Sequence, residues 1–273
     1  MPADPAVRSP RISPPDAMRP ALRPASHSAV VGYRVVRSLP GRPARRLTLP
    51  TGLVSIVIAV PHPAHDGSTP PPAPPLLSGV RTKAAITVSA GPATGIEVML
   101  KPTAGYSLLG SSLHELVDRH IELLEPAMID TDRLTMTLGQ LDCWNDRFML
   151  LDRLLSERIA AGPPASPGVV RAVLAVRHGG GRRSVAELAA ESQQSPRHLE
   201  RLFKEQVGVS PKTYAQITRF RHALRLIRTG LSHADAAARA GFHDQAHLHR
   251  DFKSMTGRTP RQFMEFTRAE DFR

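Results

Sequence analysis

His198-Leu-Glu-Arg-Leu-Phe-Lys-Glu-Gln-Val-Gly-Val-Ser-Pro-Lys-Thr-Tyr214 returns 49 residues later as His247-Leu-His-Arg-Asp-Phe-Lys-Ser-Met-Thr-Gly-Arg-Thr-Pro-Arg-Gln-Phe263. Seven of the 17 positions are identical, and Ser210/Thr259, Lys212/Arg261 and Tyr214/Phe263 are close substitutions. Agreement of that density at one fixed offset marks an internal duplication. Each copy predicts a helix ending at Gly208 or Gly257, where a left-handed residue satisfies the last carbonyls. A new helix then opens with Ser210-Pro211 or Thr259-Pro260 as N-cap and first helical residue. Leu199, Leu202 and Phe203, and later Leu248 and Phe252, recur at the spacing of a buried face, which turns Arg201 and Arg250 the other way.

A shorter helix precedes each copy. Ser184 is a suitable N-cap with Glu187 completing a capping box, Val185, Leu188 and Ala189 supply the apolar side, and Ser195-Pro196 starts the next helix. In the second unit Ser232 opens a helix through Ala236 and Ala237 to a turn at Gly241. Two short helices joined by a tight turn, the second polar and basic at its start, is the layout of a helix-turn-helix. Between the units, Tyr214, Ile217, Phe220, Leu224 and Ile227 form the apolar stripe of a long connector from Pro211 to about Arg228.

Charge supports a nucleic-acid partner. The 273 residues carry a net charge of +12, divided as +7 over residues 1–48, −4 over 49–160 and +9 over 161–273. A basic C-terminal part behind an acidic middle suits a phosphate-binding domain joined to one with no reason to touch phosphate. Length suits two domains of ordinary size. Cys143 is the only cysteine, which excludes an intrachain disulfide and a cysteine-rich zinc site and fits a reducing, cytoplasmic setting. No apolar run reaches the length of a membrane span, and the proline-broken N-terminus lacks a signal-peptide core, so no membrane partner is expected.

Upstream, residues 1–28 have too few large apolar side chains to offset ordering and read as a disordered arm. Pro61 to Pro75, with seven prolines in 15 residues, reads as an extended loop. Strands are expected at Ser55–Val60, Ala85–Ser89 and Gly95–Leu100. A helix is expected from about Leu141 to Ile159, where Trp144, Phe148, Leu151, Leu154 and Leu155 share a face that supports the sheet or serves as an interdomain or dimer contact. The expected organisation is α+β: a β-rich regulatory domain at 29–160, a linker at 161–168, an all-α domain with two helix-turn-helix units at 169–268, and a tail at 269–273.

Residues 169–268 resemble the DNA-binding domain of AraC/XylS-type transcription regulators, above all in Gly241-Phe242, His247-Leu-His-Arg-Asp-Phe-Lys and Gly257-Arg-Thr-Pro. The resemblance implies seven helices, the long central one linking two units that enter adjacent major-groove segments of double-stranded DNA. It assigns base reading to Arg197, Glu200 and Arg201 in the first recognition helix and to Ala246, His247, His249 and Arg250 in the second. Arg suits guanine O6 and N7, Glu accepts from cytosine N4, and Ala meets only a thymine methyl. Arg219, Arg221, Arg225 and Arg228, with Ser195, Lys204 and Lys253, are candidate phosphate contacts, the alternative being a solvated helix face. RNA polymerase, a second copy of the chain and an unknown small-molecule effector are the further partners such a regulator implies. Gln193 departs from the family pattern, standing where the first turn usually has Gly. Ala236 and His233 replace large aliphatics, so the second unit is expected to be the less tightly packed and the weaker binder.

Gly95 to Glu125, followed by a helix carrying Asp146-Arg147, is similar to the β-rich regulatory domain often found before such a DNA-binding domain, which implies sensing or dimerisation. Other motifs carry less. His243, His247 and His249 lack a carboxylate or thiol partner spaced to complete a metal site. His178-Gly-Gly-Gly181 resembles an esterase oxyanion motif, but no nucleophile elbow accompanies it and a flexible linker is the better reading. Cys143 lies between Asp142 and Trp144, without the cationic neighbours or motif of a redox or alkylation-repair thiol, and is expected to be packed and inert. No catalytic residue, metal or cofactor is therefore expected, and the competing reading is a DNA-associated enzyme of alkylation-repair type.

Overall fold

The structure, a computed structural model, describes residues 29–38, 44–61, 74–89, 93–122 and 130–269. The expected arm, residues 62–73 of the proline-rich loop and residues 270–273 of the tail lie outside the described residues. Strands β1 (Val30–Ser38), β2 (Ala44–Thr48), β3 (Val54–Ala59), β4 (Leu76–Ser78), β5 (Ala85–Ser89), β6 (Ala93–Leu100) and β7 (His120–Glu122) precede most of the helices. The three expected strands are β3, β5 and β6, each within two residues of the expected bounds.

Five strands form an antiparallel sheet in the order β1-β6-β3-β4-β7, and β2 pairs with β5 in a separate ribbon. Side chains alternate across a pleated sheet, and here one face carries Tyr33, Val54, Ile56, Ile58, Ile96, Val98 and Leu100, all buried. On the opposite face Glu97 is buried and shared by Arg34 and Arg46, which ties the β2–β5 ribbon to the sheet.

Helices α1 (Pro102–Leu109), α2 (Thr131–Gln140) and α3 (Trp144–Ala161) complete the N-terminal half. The α3 residues Phe148, Leu151 and Leu155 are buried. Phe148 stacks on Tyr33 with ring centroids 4.8 Å apart, and Tyr33 Oη donates to Asp152 Oδ1 at 3.2 Å. The apolar stripe of α3 therefore supports the sheet, one of the roles its sequence allowed. Cys143 is a correction to the expected packed thiol. It is exposed, and its Sγ accepts the Asp146 N–H as the N-cap of α3.

The C-terminal half is all helical: α4 (Pro167–His178), α5 (Val185–Glu191), α6 (Pro196–Val207), α7 (Pro211–Arg228), α8 (His233–Ala240), α9 (Gln245–Thr256) and α10 (Pro260–Ala269). These are the seven helices the resemblance implied. Helix α4 begins two residues before Val169, and Ser166 N–H donates to Gln206 Oε1 at 2.8 Å, so the linker is tied to α6. The glycine run at 179–181 is also tied down. Gly181 has φ 77°, and a Cβ there would lie 2.4 Å from the Ala215 carbonyl. This is a tight turn packed on α7, a correction to the flexible linker read from sequence, because the absence of a side chain allows two backbones to approach.

One hydrophobic cluster runs through both halves. The 3-10 turn Leu113–Leu116 and α1 both pack on α6. His114 Nδ1 lies 2.9 Å from the Gly208 carbonyl, and Gly208, at φ 95°, leaves a would-be Cβ only 3.0 Å from the Leu113 carbonyl. At the other unit, Ala84 N–H donates to the Met255 carbonyl at 2.6 Å. The N-terminal half thus touches the C-terminal ends of both α6 and α9.

Candidate nucleic-acid interface

Helices α5 and α6 form one helix-turn-helix, α8 and α9 the other, and α7 joins them. In the first unit Ser184 and Glu187 make the expected capping box, and Ser195 Oγ accepts the His198 N–H at 3.3 Å. The intervening turn places Gln193 at φ 56°, a left-handed conformation that explains why Gly is usual there. Gly208 and Gly257 have φ 95° and 73°, as their positions after the recognition helices required. In the second unit Ala236, Ala237 and Ala240 are fully buried. Their short side chains bring α8 close onto α7, so the loosening expected from small residues does not occur at these positions.

Helix α6 buries Leu199, Phe203 and Val207, and Phe203 meets Tyr214 edge-on at 5.7 Å. Helix α9 buries Leu248, Phe252 and Met255, with Phe252 against Phe220 and Phe263 at 5.0 and 5.4 Å. These anchors fix which side of each helix faces out. Arg197, Glu200 and Arg201 are exposed on α6, and Ala246 and Arg250 on α9. Ser195, Arg197, His198 and Arg201 line one surface depression at the start of α6. Arg201 lies 3.5 Å from Glu205 in an exposed i,i+4 pair of little energetic weight.

The two histidines assigned to base reading are engaged within the protein. His247 packs edge-on against Phe242 at 5.2 Å, receives the His243 N–H at 3.4 Å and lies 3.7 Å from Asp251. His249 Nε2 lies 3.3 Å from His233 Nδ1. Asp244 caps α9 by accepting the His247 N–H at 2.6 Å, and that bond, then its bond to His243, hold its pKa below the usual carboxylate range.

The candidate phosphate contacts divide in two. Lys204, Arg221, Arg225, Arg228 and Lys253 are exposed. Arg219 instead turns inward, donating from Nη1 to the Gly181 carbonyl at 2.6 Å, approaching Asp251 at 3.9 Å and lying over Phe242. Ser195 is engaged as the α6 cap.

Sequence reasoning missed three residues around the site: His233, which meets His249 from 16 positions away, and the pair Tyr106 and Glu205, joined across 99. No spacing rule links positions so far apart. Among the described residues no group of three or more His, Cys, Asp or Glu is placed to hold a metal, and no helix is long and apolar enough to cross a membrane.

These helices define a DNA-binding domain with two helix-turn-helix units. Residues 188–265 match the family model of a helix-turn-helix domain, and residues 27–122 match that of a domain of unknown function, DUF6597. The HTH-type transcriptional regulator GlxA of Rhizobium meliloti is 37% identical over 108 residues, covering 38% of this chain and 32% of its own. The bifunctional transcriptional activator/DNA repair enzyme Ada of Escherichia coli is 36% identical over 76 residues, covering 28% of this chain and 22% of its own. With these matches, the C-terminal domain is similar to that of helix-turn-helix transcription regulators. The chain spans about a third or less of the length of these relatives. The solved structure of ToxT from Vibrio cholerae, bound to (E)-4-(8-methylnaphthalen-1-yl)but-3-enoic acid, aligns with 85% of this chain and 97% of its own at 11% identity and a TM-score of 0.47.

Proposed function

We propose that the chain is a sequence-specific transcription regulator in which α6 and α9 read two adjacent major-groove segments of double-stranded DNA. In this reading residues 29–160 form the regulatory domain, which biases how the domain at 169–268 engages an operator. The observation that carries it is the pair of recognition helices, each burying one stripe and leaving an exposed, polar, Arg-bearing face. Base contact falls to Arg197, Glu200, Arg201, Ala246 and Arg250, with His249 treated below. His247 is a weaker candidate because its Nδ1 receives the His243 N–H and its ring packs on Phe242. Phosphate contact falls to Lys204, Arg221, Arg225, Arg228 and Lys253.

The docking of the N-terminal half on the ends of both recognition helices supports a modulatory role for it. A small-molecule effector, a second copy of the chain and RNA polymerase are the partners such a regulator would use, in the cytoplasm. Most of the relatives that match are transcription regulators, and we read the chain as a regulator and not as an enzyme.

Sequencing of DNA fragments selected by the purified full-length protein tests this reading. A two-part site with centres about 10 base pairs apart is expected. Equal affinity for the selected and for random fragments would overturn it.

A further inference from the structure

His233 and His249 approach through ring nitrogens, His249 Nε2 to His233 Nδ1 at 3.3 Å, with ring centroids 5.2 Å apart and planes at 73°. A neutral imidazole carries one N–H and one lone pair. The contact is therefore a hydrogen bond only when one of the two facing nitrogens holds the proton and the other does not. Burial, and then the neighbouring His249, hold His233 below the ordinary imidazole pKa, which favours its neutral form.

This has a consequence for the two outer nitrogens, Nε2 of His233 and Nδ1 of His249. If His249 Nε2–H donates, His249 Nδ1 is an acceptor and His233 Nε2–H is a donor; if the bond runs the other way, both roles reverse. With both rings neutral, the outer pair presents one donor and one acceptor. Neither outer nitrogen has a hydrogen-bond partner among the described residues, and neither is sealed from solvent. His233 opens α8, directly after its Ser232 cap. In a docked helix-turn-helix the first helix crosses the DNA backbone while the second enters the groove. An anionic phosphate oxygen accepts but cannot donate, so it selects the arrangement in which His233 gives.

We propose that His233 and His249 act as one hydrogen-bonded unit on DNA: His233 donates to a backbone phosphate and thereby fixes His249 as an acceptor that selects a base bearing an exocyclic amino group, adenine or cytosine. The inference rests on α9 being a base-reading helix. His233 is a positioning residue for base choice and a phosphate contact, and neither role is legible from its place in the sequence.

The test uses the full chain and its selected operator. At one base pair of the half-site read by α9, His249→Ala is expected to reduce the preference for adenine or cytosine roughly five- to tenfold, the size of a single groove hydrogen bond. His233→Ala produces the same loss at the same position, and adding it to His249→Ala produces no further loss of preference. His233→Asn, whose amide oxygen takes the place of Nδ1 as acceptor, restores the preference. An operator in which that base lacks its amino group behaves with the native protein as the native operator does with His249→Ala. Thermal melting of each variant separates misfolding from lost readout, and Asn rescue would not follow a merely structural defect. Retained preference in His233→Ala, additive losses in the double variant, or a preference for guanine or thymine overturns the proposal while leaving the regulator reading intact. Failure to select any operator overturns both.

Discussion

Tyr106 of α1 donates its hydroxyl to Glu205 of α6 at 3.4 Å, and the other Glu205 oxygen lies 3.5 Å from Arg201. A side chain of the β-rich half is thus two contacts away from a proposed base reader. Tyr106→Phe is expected to weaken operator binding by roughly 0.5 kcal/mol, at the low end for one hydrogen bond in a partly exposed place. The loss should disappear in an Arg201→Ala background. Fluorescence anisotropy on a double-mutant cycle measures it, and additive effects would show that the contact does not act through Arg201.

Arg201→Ala by itself should cost roughly 1–3 kcal/mol on the operator and relax preference at one base pair. Gel-shift titration showing an equal loss on operator and random DNA would assign Arg201 to the backbone instead.

Arg219 was a candidate phosphate contact by sequence, but its guanidinium bonds to Gly181 and leans on Asp251. Arg219→Ala should therefore destabilise the fold by roughly 1–3 kcal/mol, since it leaves a largely buried carboxylate and carbonyl with less compensation. It should leave the salt dependence of DNA binding unchanged. Arg221→Ala should do the opposite, lowering the salt slope by about one with little change in urea unfolding.

Gln193 holds a left-handed backbone conformation between α5 and α6. Gln193→Gly removes that strain but adds freedom to the unfolded chain, and the first effect is expected to win by up to about 1 kcal/mol. A higher melting temperature with unchanged operator preference is the expected result; a lower one would mean that the Gln193 side chain contributes more than its backbone costs.

The depressed pKa of Asp244 gives a pH dependence with a definite sign. A carboxyl held lower in the native state stabilises it above the unfolded pKa, near pH 4, and that stabilisation is lost as pH falls through the still lower native value. Urea unfolding of the native protein and of Asp244→Asn should differ at neutral pH and converge under acid conditions. A difference that persists once Asp244 is protonated would show that the charge is not what stabilises the start of α9.

Much of the C-terminal domain was legible in sequence because its determinants are local. The capping box at Ser184 and Glu187, the Ser-Pro and Thr-Pro helix starts and the glycine stops each act within one or two turns of helix, so spacing alone specifies them, and the repeat writes the same signals twice. The exposure of Arg197, Arg201 and Arg250 followed from the same periodicity, since a stripe that buries Leu199 and Phe203 must turn them outward. The β-rich half was less legible. Strands β1 and β2 pair with segments more than 35 residues away, and α2 has an apolar pattern that only its packing makes decisive.

The amino-acid order alone determined that this chain carries two helix-turn-helix units joined by a long helix, because hydrophobic period and caps are written within each segment. Only the tertiary structure decided that Arg219 faces inward, that His249 meets His233, and that the sheet domain rests on the ends of α6 and α9. Those outcomes depend on which distant surfaces come together, and the contact energies that select them arise between residues whose separation along the chain carries no periodic signal.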